Sequence, residues 1–347
     1  GGDEFAFVLN TTDAAQAADA AERILGLLDR PFELRGQRVH VGASIGIALF
    51  PAHGESIDEL LKHADIAMYR AKVEGGAYAF FDPERSPFSR ERLSLEVELR
   101  QAVTRGELEL CYQPMQALCD GAVLGFEALA RWRRDGTLLA AADFIPLAEE
   151  SELIRLLDWR ILRQALAEAR QLLAASPPLQ LSVNLSARSL HAPGLVEHLA
   201  SLLSETGVEP GRLVLEITES AAMRHPERSY ETLHALAALG VRLAMDDFGT
   251  GFASLTYLRN MPLHRVKIDG SLVRQIGSDP RGEELVRGAI ALGHGLGLEV
   301  VGEGVESEAQ REWLRNNGCD QVQGYLIGRP VPLGELRGLA PGAARGG

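Results

Sequence analysis

Eight short β-type runs, spaced between residues 108 and 326 and separated by stretches of helical spacing, constrain this chain more than any other feature. They are Leu108 to Gln113, Val123 to Leu129, Leu179 to Leu185, Arg212 to Thr218, Arg242 to Asp246, Arg265 to Ile268, Glu299 to Val301 and Gln321 to Leu326. Such alternation predicts a largely parallel sheet with helical crossovers. Eight strands in roughly 240 residues match a closed (β/α)8 barrel of the TIM type, with an open doubly wound sheet as the alternative that pattern alone leaves.

A barrel does not use up the 347 residues, of which 46% are hydrophobic, so a second domain is expected. Ahead of it the pattern predicts a strand from Ala6 to Leu9, a helix from Ala14 to Leu28 and a β-like stretch from Val39 to Phe50 interrupted by Gly42 and Gly46. A helix from Ile57 to Val73, stopped by Gly75-Gly76, and a short strand from Ala77 to Phe81 complete it. These strands lack partners in the sequence, which suits half of an α/β domain. Asp82 to Arg90, with Pro83 and Pro87, reads as a linker, and Leu95, Leu99 and Ala102 then mark a helix ending near Gly106. The expected division is residues 1–82, a linker at 83–90, and a barrel domain at 91–340.

A net charge of −13 argues against a general binder of DNA or RNA polymer or of membrane surfaces. No apolar run approaches the roughly 20 residues of a membrane span, so no membrane contact is expected from this segment. Cys111, Cys119 and Cys319 form neither a CxxC pair nor an even set, consistent with a reducing cytoplasm. His53, His63 and His294 have no HxxxH or HxH partner, so imidazole metal ligation is not expected.

In a barrel of this type the reactive groups sit at the C-terminal ends of strands. The predicted runs end at or beside Gln113, Glu127, Asn184, Glu216, Asp246 with Asp247, Lys267 with Asp269, Glu303 and Gln323. So many carboxylates at one mouth repel one another unless cations intervene. Oxygen donors without thiolate or imidazole favour Mg²⁺ or Mn²⁺ over zinc. Adjacent Asp246 and Asp247 suit two ions about 3.5–4 Å apart, the spacing for in-line attack of water on phosphate, with Lys267 orienting the nucleophile or offsetting charge. Each residue also has an ordinary reading: Asn184 as a helix cap, Glu216 as a surface acid, Asp269 as a turn, Lys267 as an ion-pair partner.

The ordered motifs Tyr112-Gln113-Pro114, Glu127-Ala128-Leu129-Ala130-Arg131-Trp132, Val183-Asn184-Leu185-Ser186 and Glu216-Ile217-Thr218-Glu219-Ser220 continue through Asp246-Asp247-Phe248-Gly249-Thr250-Gly251, Lys267-Ile268-Asp269, Glu303-Gly304-Val305-Glu306 and Gln323-Gly324-Tyr325. From about Leu95 to Leu333 the chain thereby resembles the EAL half of the tandem GGDEF/EAL proteins of bacterial cyclic di-GMP signalling. The resemblance implies an enzyme that hydrolyses cyclic di-GMP to linear pGpG with Mg²⁺ or Mn²⁺, as two ions. It implies metal ligation by Glu127, Asn184, Glu216, Asp246, Asp247 and Glu303, with Lys267 contacting the attacking water. Gln113, Arg131, Asp269 and Gln323 would face the substrate. Asp247 to Leu255 matches the family's mobile loop, anchored by Glu219, and a homodimer through the barrel is expected near Thr250 to Leu263. Gly270 stands where arginine is common, which points to a weakened substrate or subunit contact, and Gly302 stands where alanine is frequent. The rival class is a non-catalytic cyclic di-GMP sensor, but such relatives lose metal carboxylates or the lysine, and here all are present.

Gly1 to Phe5, Ala43 to Ala48 and Ala64 to Lys72 resemble the C-terminal half of the GGDEF diguanylate cyclase domain, with Glu4 as its metal acid and Ala77 where asparagine is frequent. The half that would supply another metal aspartate is not in the sequence, so synthesis of cyclic di-GMP by this segment is not expected. A longer parent chain is expected, cytoplasmic in this part, whose upstream segments can carry a membrane anchor.

Overall fold

A computed structural model of the chain describes residues 5–9, 13–28, 32–34, 37–39, 43–73, 78–83, 90–175, 179–249 and 255–336. The chain divides into two units, Gly1–Glu98 and Leu99–Gly347. In the first, β1 (Phe32–Leu34) pairs antiparallel with β2 (Gln37–Val39), and β3 (Ile45–Ile47) pairs parallel with β4 (Tyr78–Phe80). The helix Ile57–Val73 makes the crossover between β3 and β4. Gly46 explains how closely it lies: a Cβ there would stand 1.9 Å from the Ala64 carbonyl oxygen, so only glycine lets helix and strand touch. The β-like stretch is therefore not one strand, since β2 ends at Val39 and β3 spans only Ile45–Ile47. Ala6 to Leu9 is no strand either: it pairs with nothing among the described residues and Val8 is fully exposed. An extended run without a ladder partner has nothing to hold it in a sheet. Gly1 to Glu4, Gly75 to Ala77 and residues 84–89 lie outside the described residues.

The second unit holds β5 (Leu108–Ala117), β6 (Val123–Arg134), β7 (Thr137–Ala140), β8 (Gln180–Asn184), β9 (Leu213–Thr218), β10 (Arg242–Phe248), β11 (Arg265–Ile268), β12 (Glu299–Gly302) and β13 (Gln321–Gln323). The order β5-β13-β12-β11-β10-β9-β8-β6 closes on itself through β5–β6 pairing, so the sheet is an eight-stranded barrel and the open-sheet alternative falls. Helices such as Leu153–Ala175, Leu195–Thr206, Pro226–Ala238 and Pro280–Gly295 connect the parallel strands. They bury Leu166, Leu199, Leu233 and Val286 completely.

One strand departs from the all-parallel expectation. β5 runs antiparallel to both neighbours, β6 and β13. It reaches β6 through the Asp120-Gly121 turn, with Gly121 at φ 74°, and a turn that tight joins only antiparallel strands. Gln113 therefore does not close its strand but lies within it, opposite Glu127, and Glu127 in turn lies within β6. β6 continues past the barrel and folds back as a hairpin with β7 across Asp135 (φ 47°) and Gly136 (φ 79°). Asp-Gly is the sequence signature of such a turn, so this hairpin was readable in advance.

The interior is layered by the two-residue repeat of a strand. At the N-terminal end of the barrel, Arg265 donates from Nη2 to Glu299 Oε2 (2.8 Å) and Gln180 Oε1 (3.0 Å). Arg242 Nη2 reaches Glu299 Oε1 (2.8 Å), and Gln321 Nε2 reaches Glu299 Oε2 (3.1 Å). This polar floor carried no expectation from motif reading, although R-x-K at 265–267 and Q-x-Q at 321–323 put floor and mouth residues on one face.

Candidate active site

Moving along the strands by an even number of residues keeps a side chain on the inner wall, so Lys267 follows Arg265, Gln323 follows Gln321, Asn184 follows Gln180 and Asp246 follows Arg242. These residues meet at the opposite end of the barrel. Lys267 is wholly buried, with Nζ 2.5 Å from Glu216 Oε2, 2.6 Å from Glu303 Oε1, 3.3 Å from Glu127 Oε2 and 3.8 Å from Asp246 Oδ1. Amides tie the rest of the ring: Asn184 Nδ2 donates to Glu127 Oε1 (2.7 Å) and Gln323 Nε2 to Glu127 Oε2 (2.6 Å). Gln323 also donates to Gln113 Oε1 (3.2 Å), and Gln113 to the Gly328 carbonyl (3.1 Å). Gln113, Glu127, Asp246, Glu303 and Gln323 open on one cavity of about 350 Å³.

Asp246 and Asp247 are consecutive, and in a regular strand they would face opposite ways. The pairing of β10 with β11 shifts register between Met245 and Phe248, and Asp247 adopts φ 56°, a left-handed conformation uncommon outside glycine. Its N–H donates to Asp246 Oδ1 (3.0 Å). The irregularity brings Asp247 within electrostatic reach of Asp246, Asp269 and Glu219. Glu219 is buried, and its Oε2 accepts from the Gly249 N–H (3.3 Å), at the edge of the segment expected to be mobile. Residues 250–254 of that segment lie outside the described residues.

Two expected substrate contacts stand apart from the cavity lining. Arg131 lies farther along β6 and donates to the Ala130 carbonyl (2.8 Å). Asp269 caps the short helix Gly270–Val273, accepting from Ser271 N (3.0 Å) and from the Ser271 hydroxyl, which is the ordinary turn reading of that residue. Sequence reasoning missed Asp158, buried on the helix Leu153–Ala175, which accepts from Ser186 N (3.1 Å) and Ser186 Oγ (2.5 Å) and fixes the turn after Asn184. No local pattern links positions 158 and 186, so only tertiary structure reveals it. Arg274 and Glu306 line the cavity as well.

The electrostatics are those of too many acids for one lysine. Burial, reinforced by Glu127 and Asp246 and opposed by Lys267, pushes the Glu216 carboxyl up to about 7. Burial and Asp246 push Asp247 up to about 6, and burial raises Asp246 and Glu303 despite Lys267. Burial opposes ionisation of Glu127, but Lys267, Gln323 and Asn184 together outweigh it and hold that carboxyl below its usual range. Burial likewise works against the Lys267 ammonium, and four carboxylates overcome it, raising its pKa so that it stays charged.

Among the described residues no three acidic, histidine or cysteine groups are already arranged about an ion. The ammonium of Lys267 instead stands where the carboxylates converge. Yet Glu216 Oε1, Glu219 Oε1 and Gln323 Oε1 are buried without a hydrogen-bond partner. Orphaned hard oxygen donors beside carboxylates of raised pKa fit a divalent oxygen-loving cation.

The same charge excess sets a pH dependence. In the folded protein Glu216 and Asp247 bind protons up to about pH 7 and 6, whereas their ordinary values are 4.5 and 3.8. The native state then holds more protons than the unfolded state in that window, so these groups make stability fall as pH rises from about 4 to 7. Metal-free Glu216→Gln should show a flatter dependence of melting temperature on pH between 5 and 8 than the parent; an unchanged slope counts against the assignment.

A closed barrel with a lysine buried among acids and amides at one mouth defines the class of the molecule. The chain belongs to the EAL domain family, which it matches over residues 96–330, and residues 1–77 match the diguanylate cyclase GGDEF domain. EAL phosphodiesterases generally depend on divalent metal. The bifunctional diguanylate cyclase/cyclic di-GMP phosphodiesterase MucR of Pseudomonas aeruginosa is 39% identical over 97% of this chain and 50% of its own length. The cyclic di-GMP phosphodiesterase NbdA of the same organism is 40% identical over 96% of this chain and 43% of its own length. This chain thus spans half or less of these relatives. The solved PaMucR phosphodiesterase in complex with c-di-GMP is 40% identical with a TM-score of 0.67, covering 70% of this chain and 99% of that structure. Among the described residues no helix is long and apolar enough to cross a membrane.

Proposed function

We propose that this chain is a cyclic di-GMP phosphodiesterase that opens one phosphodiester bond to give linear pGpG, with two Mg²⁺ or Mn²⁺ ions. The observation that carries the reading is the wholly buried Lys267 among Glu127, Glu216, Asp246 and Glu303 at the mouth of an EAL-family barrel. The activities named for MucR and NbdA support it. Glu127, Asn184, Glu216, Asp246, Asp247 and Glu303 would hold the ions, which when bound lower the pKa of water and neutralise phosphoryl oxygens. Asn184 and Gln323 keep Glu127 ionised and oriented through their amide hydrogen bonds. Lys267, itself wholly buried, stays protonated and offsets the negative charge of nucleophile and phosphate. Gln113, Gln323, Arg131 and Asp269 are assigned to the substrate side, and Glu219 to anchoring the Asp247–Leu255 segment. In the same reading residues 1–82 are the C-terminal half of a GGDEF domain, 83–90 a linker and 91–340 the phosphodiesterase. The barrel works in the cytoplasm, where a bacterial second messenger is found, and as a homodimer.

The test is chromatography of cyclic di-GMP incubated with the protein and Mg²⁺ or Mn²⁺, beside a chelator control and Glu127→Ala. Metal-dependent pGpG is expected, absent with chelator and reduced about a hundredfold or more in the variant. Intact cyclic di-GMP despite tight binding would make the barrel a sensor instead.

A further inference from the structure

Asn184 is the last residue of β8 and is exposed, and its amide donates to Glu127. An exposed side chain at a strand end takes its position from the backbone that follows it, and here that backbone is pinned from two sides. On the barrel side the Leu185 N–H donates to the Glu216 carbonyl (2.8 Å). On the helix side both donors of Ser186, its N–H and its hydroxyl, converge on a single oxygen, Oδ2 of Asp158.

Asp158 is 7% exposed on the helix Leu153–Ala175, beside the buried Leu157, Ile161 and Leu162 that seat this helix. Burial pushes its carboxyl up to about 6, and the hydrogen bonds from Ser186 work against that shift. Among the described residues Asp158 makes no ion pair, so its attachment to the barrel is through hydrogen bonds alone. A buried acid held in this way adds little to stability, and what it supplies is geometry. Ser186 has one hydroxyl proton, which goes to Asp158, while its oxygen accepts from Ser189 N (3.3 Å) and caps the short helix Ala187–Leu190. Without an acceptor at position 158, both donors of Ser186 lose their partner and the turn that carries Asn184 is released.

We infer that Asp158 is a positioning residue for the metal site: by holding both donors of Ser186 it fixes the turn that sets Asn184 against Glu127, and so governs how tightly the barrel mouth binds a divalent cation. Groups that orient a ligand without touching the ion contribute to metal affinity on a scale comparable to a ligand's own hydrogen bonds. Asp158 touches neither the proposed ligands nor the substrate cavity, so its influence runs through Ser186 and the backbone to Asn184. The inference rests on the metal-dependent phosphodiesterase reading of the mouth and adds to it a residue from the outer helical layer.

The experiment is calorimetric titration of the protein with Mn²⁺ in the absence of nucleotide, followed by cyclic di-GMP turnover over a range of Mn²⁺ concentrations. Asp158→Leu, which keeps the volume and removes the acceptor, should weaken Mn²⁺ binding by about 10- to 100-fold. Its turnover should fall at low Mn²⁺ and recover toward the parent's at saturating Mn²⁺, with KM for cyclic di-GMP little changed. Asp158→Asn should keep most of the affinity, because one amide oxygen can still accept both hydrogen bonds. Ser186→Ala should show a smaller loss of the same kind, and the double variant should lose less than the two single losses combined. Leu166→Ala, a packing variant on the same helix, should melt lower yet bind Mn²⁺ as the parent does at a temperature where it is folded. Parent-like Mn²⁺ binding in Asp158→Leu, an equal loss in Asp158→Asn, or an equal loss in Leu166→Ala would each overturn the assignment. Should Asp158→Leu fail to fold, Ser186→Ala and Asp158→Asn decide it, since a Ser186→Ala protein that binds Mn²⁺ like the parent has no turn to position. Mn²⁺ binding that depends on Asp158 without any pGpG sinks the enzyme reading and leaves this one standing, whereas pGpG formation with Mn²⁺ affinity indifferent to Asp158 sinks this one alone.

Discussion

Replacing Lys267 with methionine is expected to lower cyclic di-GMP turnover by about a hundred- to a thousandfold, the scale seen when one preorganised charge-stabilising group leaves an active site. Methionine conserves most of the buried stem, so the deleted feature is the charge. The four carboxylates within 3.8 Å of Nζ would then face one another without their cation. The loss should also show without substrate. Lys267 lowers the pKa values of Glu216, Asp246 and Glu303, so its removal raises them further and widens the range over which folding takes up protons. Stability of the variant should then fall more steeply than the parent's as pH rises through about 7, in chelator, and recover when Mn²⁺ is added. Turnover rate and melting temperature, each with and without chelator, check both parts. A variant that turns over within tenfold of the parent would remove Lys267 from the reacting centre.

The sequence made the barrel legible because its strands are short apolar runs of one period, buried on both faces, and β8 to β13 all coincide with predicted runs. The reversal of β5 was hidden because periodicity carries no direction; the Asp120-Gly121 turn was the only local sign of it. That same reversal puts Gln113 and Glu127 side by side within their strands, and the strand-end rule reached them only because the predicted runs stopped short, at Gln113 and Leu129, of strands that continue to Ala117 and Arg134. The residues around Lys267 were legible because each stands in a motif with fixed neighbours. Asp158 was not, since its role depends on what lies across space, a serine after another strand. The failed strand at Ala6 to Leu9 shows the complementary limit. Its residues favour β structure, but a strand exists only with a partner to accept its hydrogen bonds.

Glu299→Ala is expected to destabilise the barrel by about 3 kcal/mol without altering the chemistry of the mouth. Breaking a buried pair from one side costs about 3–5 kcal/mol, and the lower end applies because Glu299 keeps 40% of its side chain exposed. The damage comes from what remains. Arg265, 3% exposed, would retain only Gln180 as an acceptor, while Arg242 at 28% exposure can turn to water. A loss of that size in a domain this large lowers the melting temperature by about 6–12 °C. The decisive comparison is Arg265→Met with Glu299→Leu. If the cost lies in an uncompensated buried charge, removing both partners for apolar side chains should recover most of the stability that Glu299→Ala loses. If the double variant melts as low as the single one, the floor holds the barrel through its hydrogen-bonded geometry, and Gln180 and Gln321 share that work. In either case KM and kcat at a temperature where the variants are folded should stay near the parent values, because the floor and the carboxylates around Lys267 occupy opposite ends of the same strands.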